Sequence, residues 1–141
     1  MISSLPLRRI AIWGFFLNTL WEFSQCVLFY DMWDWGFWRA TAWMWGAIVG
    51  DMFIVLGVVT LSHLAVGSPS WEELNGRSWI ALFIVGFVAA VFLEWASQVL
   101  GLWGYTSLMP TLHVAGHTVG IAPVFQITLL PAASAYLGTR H

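Results

Sequence analysis

Long apolar stretches separated by short polar segments dominate this chain of 141 residues. Four stretches are long enough to cross about 30 Å of hydrocarbon at about 1.5 Å per residue. They are predicted as helices over residues 9–30, 38–66, 78–101 and 115–137. The connections between them are short, which predicts antiparallel neighbours. The pattern therefore predicts an all-α fold, an integral membrane four-helix bundle that forms a single transmembrane domain over residues 1–141.

Composition agrees with this prediction and excludes some functions. Hydrophobic residues make up 60% of the chain and charged residues 9%, whereas a soluble domain is about a quarter charged. The chain has no lysine and only five arginines, so no basic patch exists that could bind nucleic acid. The single cysteine, Cys26, excludes an internal disulfide.

The arginines also predict an orientation. Arg8, Arg9, Arg77 and Arg140 fall on the side of the N-terminus, the second connection and the C-terminus, and only Arg39 falls on the other side. Because basic residues concentrate on the cytoplasmic side of membrane proteins, both termini are predicted to be cytoplasmic.

Small residues predict where helices pack closely in lipid. Two Gly-x-x-x-Gly motifs are present, Gly46–Gly50 on the second predicted helix and Gly116–Gly120 on the fourth. Pro123 is predicted to kink the fourth helix, because proline removes a backbone donor.

Three acidic residues, Glu22, Asp51 and Glu94, lie in the apolar stretches with no basic residue near them in sequence. An acid at the centre of a membrane helix costs about 3 kcal/mol on insertion scales, so such residues usually have a function. A buried carboxyl group without a cation tends to keep its proton and can then act as a general acid. These three residues are the predicted catalytic groups.

Amide side chains occur at similar depths to the acids. Counting along the helices places Glu22, Asp51, Glu94 and Gln126 roughly 10–20 Å below the outer boundary. This common depth predicts a shared interior cavity that opens outward or laterally. Interhelical hydrogen bonding is an alternative role for the amides. The predicted polar contacts to a substrate or to the acids are Asn18, Gln25, Gln98 and Gln126.

Aromatic residues near the acids add to the predicted site. Trp21 and Trp95 are adjacent in sequence to Glu22 and Glu94, and aromatic faces stabilise positive charge. They are predicted to flank a carbocation, with plain packing as the alternative. His117 is predicted to form a hydrogen bond near the acids. His113 and His117 have the spacing of a metal-binding pair on a helix, but no metal and no cofactor is predicted.

Short motifs resemble those of known enzymes. The segment Asn18-Thr-Leu-Trp-Glu22-Phe resembles the Asn-x-x-Trp-Glu motif of fungal integral-membrane terpene cyclases. Glu94, followed by Gly-Leu-Trp103-Gly-Tyr105, resembles a pattern in membrane lycopene cyclases and carotenoid hydratases. The resemblance implies protonation of an alkene or epoxide by a membrane acid, and adds Trp103 and Tyr105 to the substrate contacts.

The whole chain also resembles a group of small four-helix bacterial integral membrane proteins. They share Trp-Glu-Phe, Gly-Asp, Glu-Trp and Gly-x-x-Pro-x-x-Gln elements, which here end with Phe23, Asp51, Trp95 and Gln126. This resemblance implies a multi-pass protein of the bacterial cytoplasmic (inner) membrane.

The leading functional hypothesis is an acid-catalysed cyclase, isomerase or hydratase. Its partner would be a hydrophobic prenyl or sterol-like lipid, Glu22 or Glu94 would donate the proton, and Asp51 would be the partner or the base. A second hypothesis is a non-enzymatic small subunit or a lipid- or pigment-binding protein of a membrane complex. A third is a small proton-coupled transporter, which with four helices would need to be a homo-oligomer.

Overall fold

The structure is a computed structural model that describes residues 6–67 and 74–140. It contains four helices and one two-stranded antiparallel hairpin. In chain order they are α1 (Leu7–Phe29), α2 (Phe37–Val66), α3 (Gly76–Val99), β1 (Thr111–Val114), β2 (His117–Gly120) and α4 (Ile121–Thr139). The all-α prediction fits this architecture, apart from the hairpin.

The first three helices begin and end within two residues of the predicted bounds. Local chemistry fixes two of these ends. Gly67 ends α2 with a φ of 64°, a left-handed conformation that glycine adopts without steric cost. Asn75 caps the start of α3, where its side chain accepts a hydrogen bond of 3.0 Å from the backbone N–H of Ser78. The remainder of the predicted second connection, residues 68–73, lies outside the described residues.

The predicted start of the fourth helix, at residue 115, is wrong. Ala115 and Gly116 both have positive φ values, 46° and 80°, and they form the two-residue turn of the hairpin, as in type I′ turns. Helix α4 begins only at Ile121. Pro123 consequently lies in the first turn, where proline is tolerated because the backbone N–H has no helical partner, and it does not kink the helix as predicted.

The hairpin also changes the second Gly-x-x-x-Gly motif. Gly116 forms the turn, and a Cβ built on Gly120 would lie 3.1 Å from Cζ of Tyr105. The motif therefore does not join two helices. The motif on α2 makes no contact within the described part of the chain either, since a Cβ on Gly46 or Gly50 would meet no atom within 4 Å.

Close helix packing comes from other glycines. Each helix packs against the next along the chain, and α4 packs against α1 to close the bundle. A Cβ on Gly86 would lie 2.9 Å from the carbonyl oxygen of Ile127, which places α3 against α4. A Cβ on Gly138 would lie 2.6 Å from Cγ1 of Ile10, which places α4 against α1.

The contact between Gly138 and Ile10 brings both ends of the described chain to one end of the bundle. We call this the arginine end, because it includes Arg8, Arg9, Arg77 and Arg140. The opposite end consists of the α1–α2 connection and residues 101–120. We call it the tryptophan end, because it includes Trp33, Trp35 and Trp103, and Trp38 follows in the first turn of α2.

Buried apolar residues form two clusters along the bundle axis. The cluster nearer the arginine end is built around Ile10, Val59 and Leu82. The cluster at the tryptophan end is built around Tyr30 and Met109. Carboxyl and amide side chains from the four helices lie between these two clusters, and we call this region the polar layer.

Among the described residues, three helices are long and apolar enough to cross a membrane, namely α2, α3 and α4. Helix α1 has sufficient length, but Asn18, Glu22 and Gln25 lower its mean hydropathy. The structure is thus compatible with a membrane protein, and the fourth span stays a prediction.

Candidate functional site

The polar layer draws side chains from all four helices. Helix α1 contributes three residues at three- and four-residue spacing, which places them on one face. Helices α2, α3 and α4 contribute one each. The six side chains are Asn18, Glu22, Gln25, Asp51, Glu94 and Gln126.

Gln126 connects three of these helices. Its Nε2 lies 2.9 Å from Oδ1 of Asn18, 2.8 Å from Oε1 of Glu22 and 2.8 Å from Oδ2 of Asp51. Its Oε1 accepts a hydrogen bond of 2.7 Å from Nε2 of Gln25. An amide nitrogen has two hydrogens, so these three acceptors share two donated protons.

Glu22 accepts hydrogen bonds on both carboxyl oxygens. Oε1 accepts from Gln25 at 2.7 Å as well as from Gln126, and Oε2 accepts from the thiol of Cys26 at 3.0 Å. The carboxyl group of Asp51 is within hydrogen-bonding reach of Glu22. Two carboxyl groups in contact repel each other when both are ionised, and a proton held between them would relieve this repulsion.

None of the arginines in the described part of the chain lies in this layer. Four are at the arginine end, and the guanidinium of Arg39 lies 3.9 Å above the ring of Trp35 at the tryptophan end. No arginine of the described residues is therefore placed to balance the charge of the acid pair.

Glu94 has a separate partner, Tyr105, which lies outside the helices. The phenol of Tyr105 donates a hydrogen bond to Oε2 of Glu94 and accepts one of 3.2 Å from the backbone N–H of Gly120. Burial, and then the charge of Glu94, raise the pKa of Tyr105 above its ordinary value. The phenol therefore keeps its proton and remains a donor to Glu94.

The segment that carries Tyr105 is fixed to the end of α1. The backbone N–H of Thr106 donates to the carbonyl of Phe29 at 2.9 Å, and the N–H of Asp31 donates to the carbonyl of Gly104 at 3.1 Å. These bonds form an isolated bridge between Tyr30 and Tyr105. Residues 101–120 thus cover the polar layer at the tryptophan end.

A cavity of about 60 Å³ lies against the polar layer. Three carboxyl groups line it, from Glu22, Asp51 and Glu94, together with the amide of Gln126. Its other walls are mainly apolar and aromatic, formed by Cys26, Tyr30, Met32, Trp43, Ala47, Trp103, Pro123 and Ile127. The cavity has room for a small chemical group or a few water molecules, but not for a whole lipid.

The two tryptophans predicted to flank a carbocation lie elsewhere. The indole N–H of Trp21 donates to Oε1 of Gln25 at 2.8 Å, and Trp95 packs edge-on against His117 with ring centroids 6.1 Å apart. Neither ring lines the cavity. Trp21 instead orients an amide that contacts Glu22.

Two further predicted contacts reach the site only indirectly. Gln98 donates a hydrogen bond of 3.3 Å to the backbone carbonyl of Trp103 and does not line the cavity. His117 pairs with Val114 across the hairpin, whereas His113 pairs with Thr118. The two histidines therefore point to opposite faces of the hairpin, and their predicted placement on the fourth helix is wrong.

Seven of the residues that line the cavity were not predicted as site residues from the sequence, although a signal existed for three of them. Cys26 and Tyr30 follow Glu22 at intervals of four and continue its helical face towards the tryptophan end. Trp43 precedes Asp51 by eight residues and shares its face in the same way. Following the helical faces of Glu22 and Asp51 towards the tryptophan end would have identified these three residues.

Comparison with protein-family models, curated proteins and solved structures found no match for this chain. Its function must therefore be inferred from the geometry and chemistry of the polar layer and its cavity.

Proposed function

We propose that this chain is an integral membrane enzyme that protonates an alkene or epoxide of a prenyl or sterol-like lipid, as a cyclase, isomerase or hydratase. The observation that supports this most directly is the meeting of Glu22, Asp51 and Glu94 at one small cavity with aromatic walls, whose described lining includes no cation. Such a site combines a proton donor with rings that stabilise positive charge.

The distribution of polarity supports a place in the membrane. Leu20 is 69% exposed, whereas Glu22, two residues further along the same helix, is 4% exposed. The same pattern holds around the bundle, where exposed apolar side chains include Phe16, Phe53, Ile84, Phe92 and Phe125. A bilayer would cover this surface. The proposed arrangement is multi-pass in a bacterial cytoplasmic membrane, with the arginine end in the cytoplasm.

The hydrogen bonds distinguish the roles of the two paired acids. Both oxygens of Glu22 already accept bonds from N–H or S–H donors. Asp51 accepts from Gln126 through Oδ2, which leaves Oδ1 to hold the shared proton. We therefore assign Asp51 as the proton donor and Glu22 as its partner.

In the proposed reaction, the proton of Asp51 goes to one carbon of a double bond, whose π electrons form the new C–H bond. The other carbon becomes a cation next to the rings of Tyr30, Trp43 and Trp103. Loss of a proton from a neighbouring carbon to the Asp51 carboxylate forms a new double bond and restores the acid. If water adds to the cation instead, it releases one proton to the same carboxylate. With an epoxide, the proton goes to oxygen and the C–O bond breaks.

A deuterium experiment tests this proposal on many candidate substrates at once. The purified protein in lipid nanodiscs would be incubated with a mixture of prenyl alkenes in D₂O, and products would be analysed by mass spectrometry. Protonation of an alkene places a non-exchangeable deuterium on carbon. We expect Asp51→Asn and Glu22→Gln to reduce deuterium incorporation by about 10²-fold or more, since general acids contribute about 10²–10⁴-fold.

The matched control is Glu73→Gln, which makes the same chemical change as Glu22→Gln at a residue of the predicted second connection. It should leave deuterium incorporation unchanged. Full incorporation by the folded Asp51→Asn protein would contradict the proposal.

A lipid- or pigment-binding subunit is the second candidate. It is favoured by the mutual hydrogen bonding of Gln25, Glu22 and Gln126, because groups that satisfy one another need no reaction to explain them. In that case a lipid would co-purify with the protein and gain no deuterium.

A further inference from the structure

A second cavity of about 260 Å³ lies at the tryptophan end between α1 and α2, beneath the connection that joins them. We call it the groove. Its lining is almost wholly apolar and includes Val27, Trp33, Phe37, Ala40 and Met44. Val27 and Phe37 are exposed, so the groove opens to the side of the bundle.

The groove and the acid cavity have a common wall. Cys26, Tyr30 and Met32 line both spaces, and we call these three residues the neck. The groove is large and apolar, whereas the cavity beyond the neck is small and contains carboxyl groups. An elongated molecule would therefore meet two different environments along its length.

We propose that the groove, the neck and the cavity form one channel for a single-chain lipid, whose uncharged far end reaches the acids while its polar head stays at the groove mouth. This inference rests on the proposed function of the acid cavity, and it adds the route of entry, the orientation and the charge of the substrate. The volumes support it, because the cavity alone is too small for a lipid and the groove alone contains no acid among its described lining residues.

The charges at the two ends favour this orientation. The cavity presents Glu22, Asp51 and Glu94, and its described lining holds no cation, so a phosphate or carboxylate head would be repelled there. At the mouth, Arg39 stacks on Trp35, which lines the groove. Exposed Asp31 and Asp34 in the same connection offset this positive charge, so a neutral polar head such as a hydroxyl suits the mouth.

Photo-crosslinking with two probes tests the channel. Each probe is a prenyl alcohol with a diazirine, placed either at the far end of the chain or beside the hydroxyl, and labelled peptides of the nanodisc-embedded protein are identified by mass spectrometry. We expect the far-end probe to label residues 22–26 and 43–51 that line the cavity. The head-end probe should label residues 33–37. Labelling of the cavity residues by the head-end probe would overturn the proposal. Labelling by the far-end probe that is confined to lipid-facing positions such as Phe53 would also overturn it.

A matched pair of variants tests the groove itself. Ala40→Trp fills the groove, whereas Ala42→Trp adds the same side chain at an exposed position of α2 outside it. Far-end labelling should fall about tenfold or more in Ala40→Trp and stay at the wild-type level in Ala42→Trp. If Ala40→Trp does not fold, Ala40→Leu makes a smaller obstruction and should give a smaller loss. Wild-type labelling in a folded Ala40 variant would exclude the groove as the route.

Asp51→Asn separates this inference from the proposed function. The variant leaves the groove intact, so it should be labelled like the wild type while it loses deuterium incorporation. If Asp51→Asn shows normal labelling and normal deuterium incorporation, this result would contradict the proposed acid chemistry but not the channel. Loss of both labelling and deuterium incorporation in the Ala40 variants, in which Asp51 is unchanged, would support the channel. Loss of labelling with normal incorporation would show that the substrate reaches the acids by another route.

Discussion

At the scale of single residues, the polar layer depends on one amide more than on any acid. Gln126 has polar contacts with Asn18 and Gln25 on α1, with Glu22 on the same helix, and with Asp51 on α2. Removing it would leave Oδ1 of Asn18 and Oδ2 of Asp51 without this donor. By contrast, Gln98 makes one longer bond to a backbone carbonyl.

We therefore predict that Gln126→Met lowers the free energy of unfolding by about 1–3 kcal/mol, the cost of leaving buried polar groups unsatisfied. Gln98→Met, the matched control, should cost about 0.6 kcal/mol, an average interhelical hydrogen bond in a membrane protein. Denaturant unfolding in detergent micelles measures both. Equal losses for the two variants would show that Gln126 is not the centre of the network.

At the scale of elements, glycine contacts decide which helix faces approach closely. Gly86 lies against the backbone of α4, whereas Gly46 faces open space although it belongs to a Gly-x-x-x-Gly motif. The sequence pattern alone does not distinguish these two environments. Only the packing of α3 on α4 shows which glycine is needed for contact within the chain.

Substituting alanine at these two glycines should have opposite effects on stability. In Gly86→Ala the new Cβ would lie 2.9 Å from the carbonyl oxygen of Ile127, so α3 and α4 must separate, at a cost of about 1–3 kcal/mol. In Gly46→Ala the Cβ meets nothing within 4 Å, and the better helix propensity should stabilise the protein by up to about 1 kcal/mol. Thermal unfolding of both variants checks this. A clear destabilisation by Gly46→Ala would indicate that a second copy of the chain packs on this face.

At the scale of the whole molecule, polarity is arranged with the polar layer inside and apolar side chains outside. The arginines lie mostly at one end and many of the tryptophans at the other. This asymmetry gives the bundle a predicted direction in the membrane, with the mouth of the groove in the outer half.

Cysteine labelling in cells tests this direction. In a Cys26→Ala background, Ser107→Cys marks the tryptophan end and Gly76→Cys marks the arginine end, and both positions are exposed. A membrane-impermeant maleimide should label Ser107→Cys in intact cells and Gly76→Cys only after the membrane is opened, because arginines favour the cytoplasmic side. The reverse pattern would invert the predicted orientation.

The sequence by itself determined the features that depend on local pattern. Apolar runs of membrane length predicted three helices to within two residues, because helix formation follows periodicity and end signals such as Gly67 and Asn75. The depth count correctly placed Glu22, Asp51, Glu94 and Gln126 in one layer, since helix rise is constant. The hairpin was missed because Ala115 replaces the Asn or Asp usual in such turns.

Only the tertiary structure decided which side chains meet. Rotation of each helix about its axis is set by packing against its neighbours, so sequence adjacency to an acid did not bring Trp21 or Trp95 to the cavity. The same packing placed Tyr30, Trp43 and Trp103 there, and folded Tyr105 back onto Glu94 from a connecting segment. The neck, which lines both the groove and the cavity, likewise combines Cys26 of α1 and Tyr30 at its C-cap with Met32 of the following connection. Contacts of this kind depend on the relative position of several elements, which no single stretch of sequence encodes.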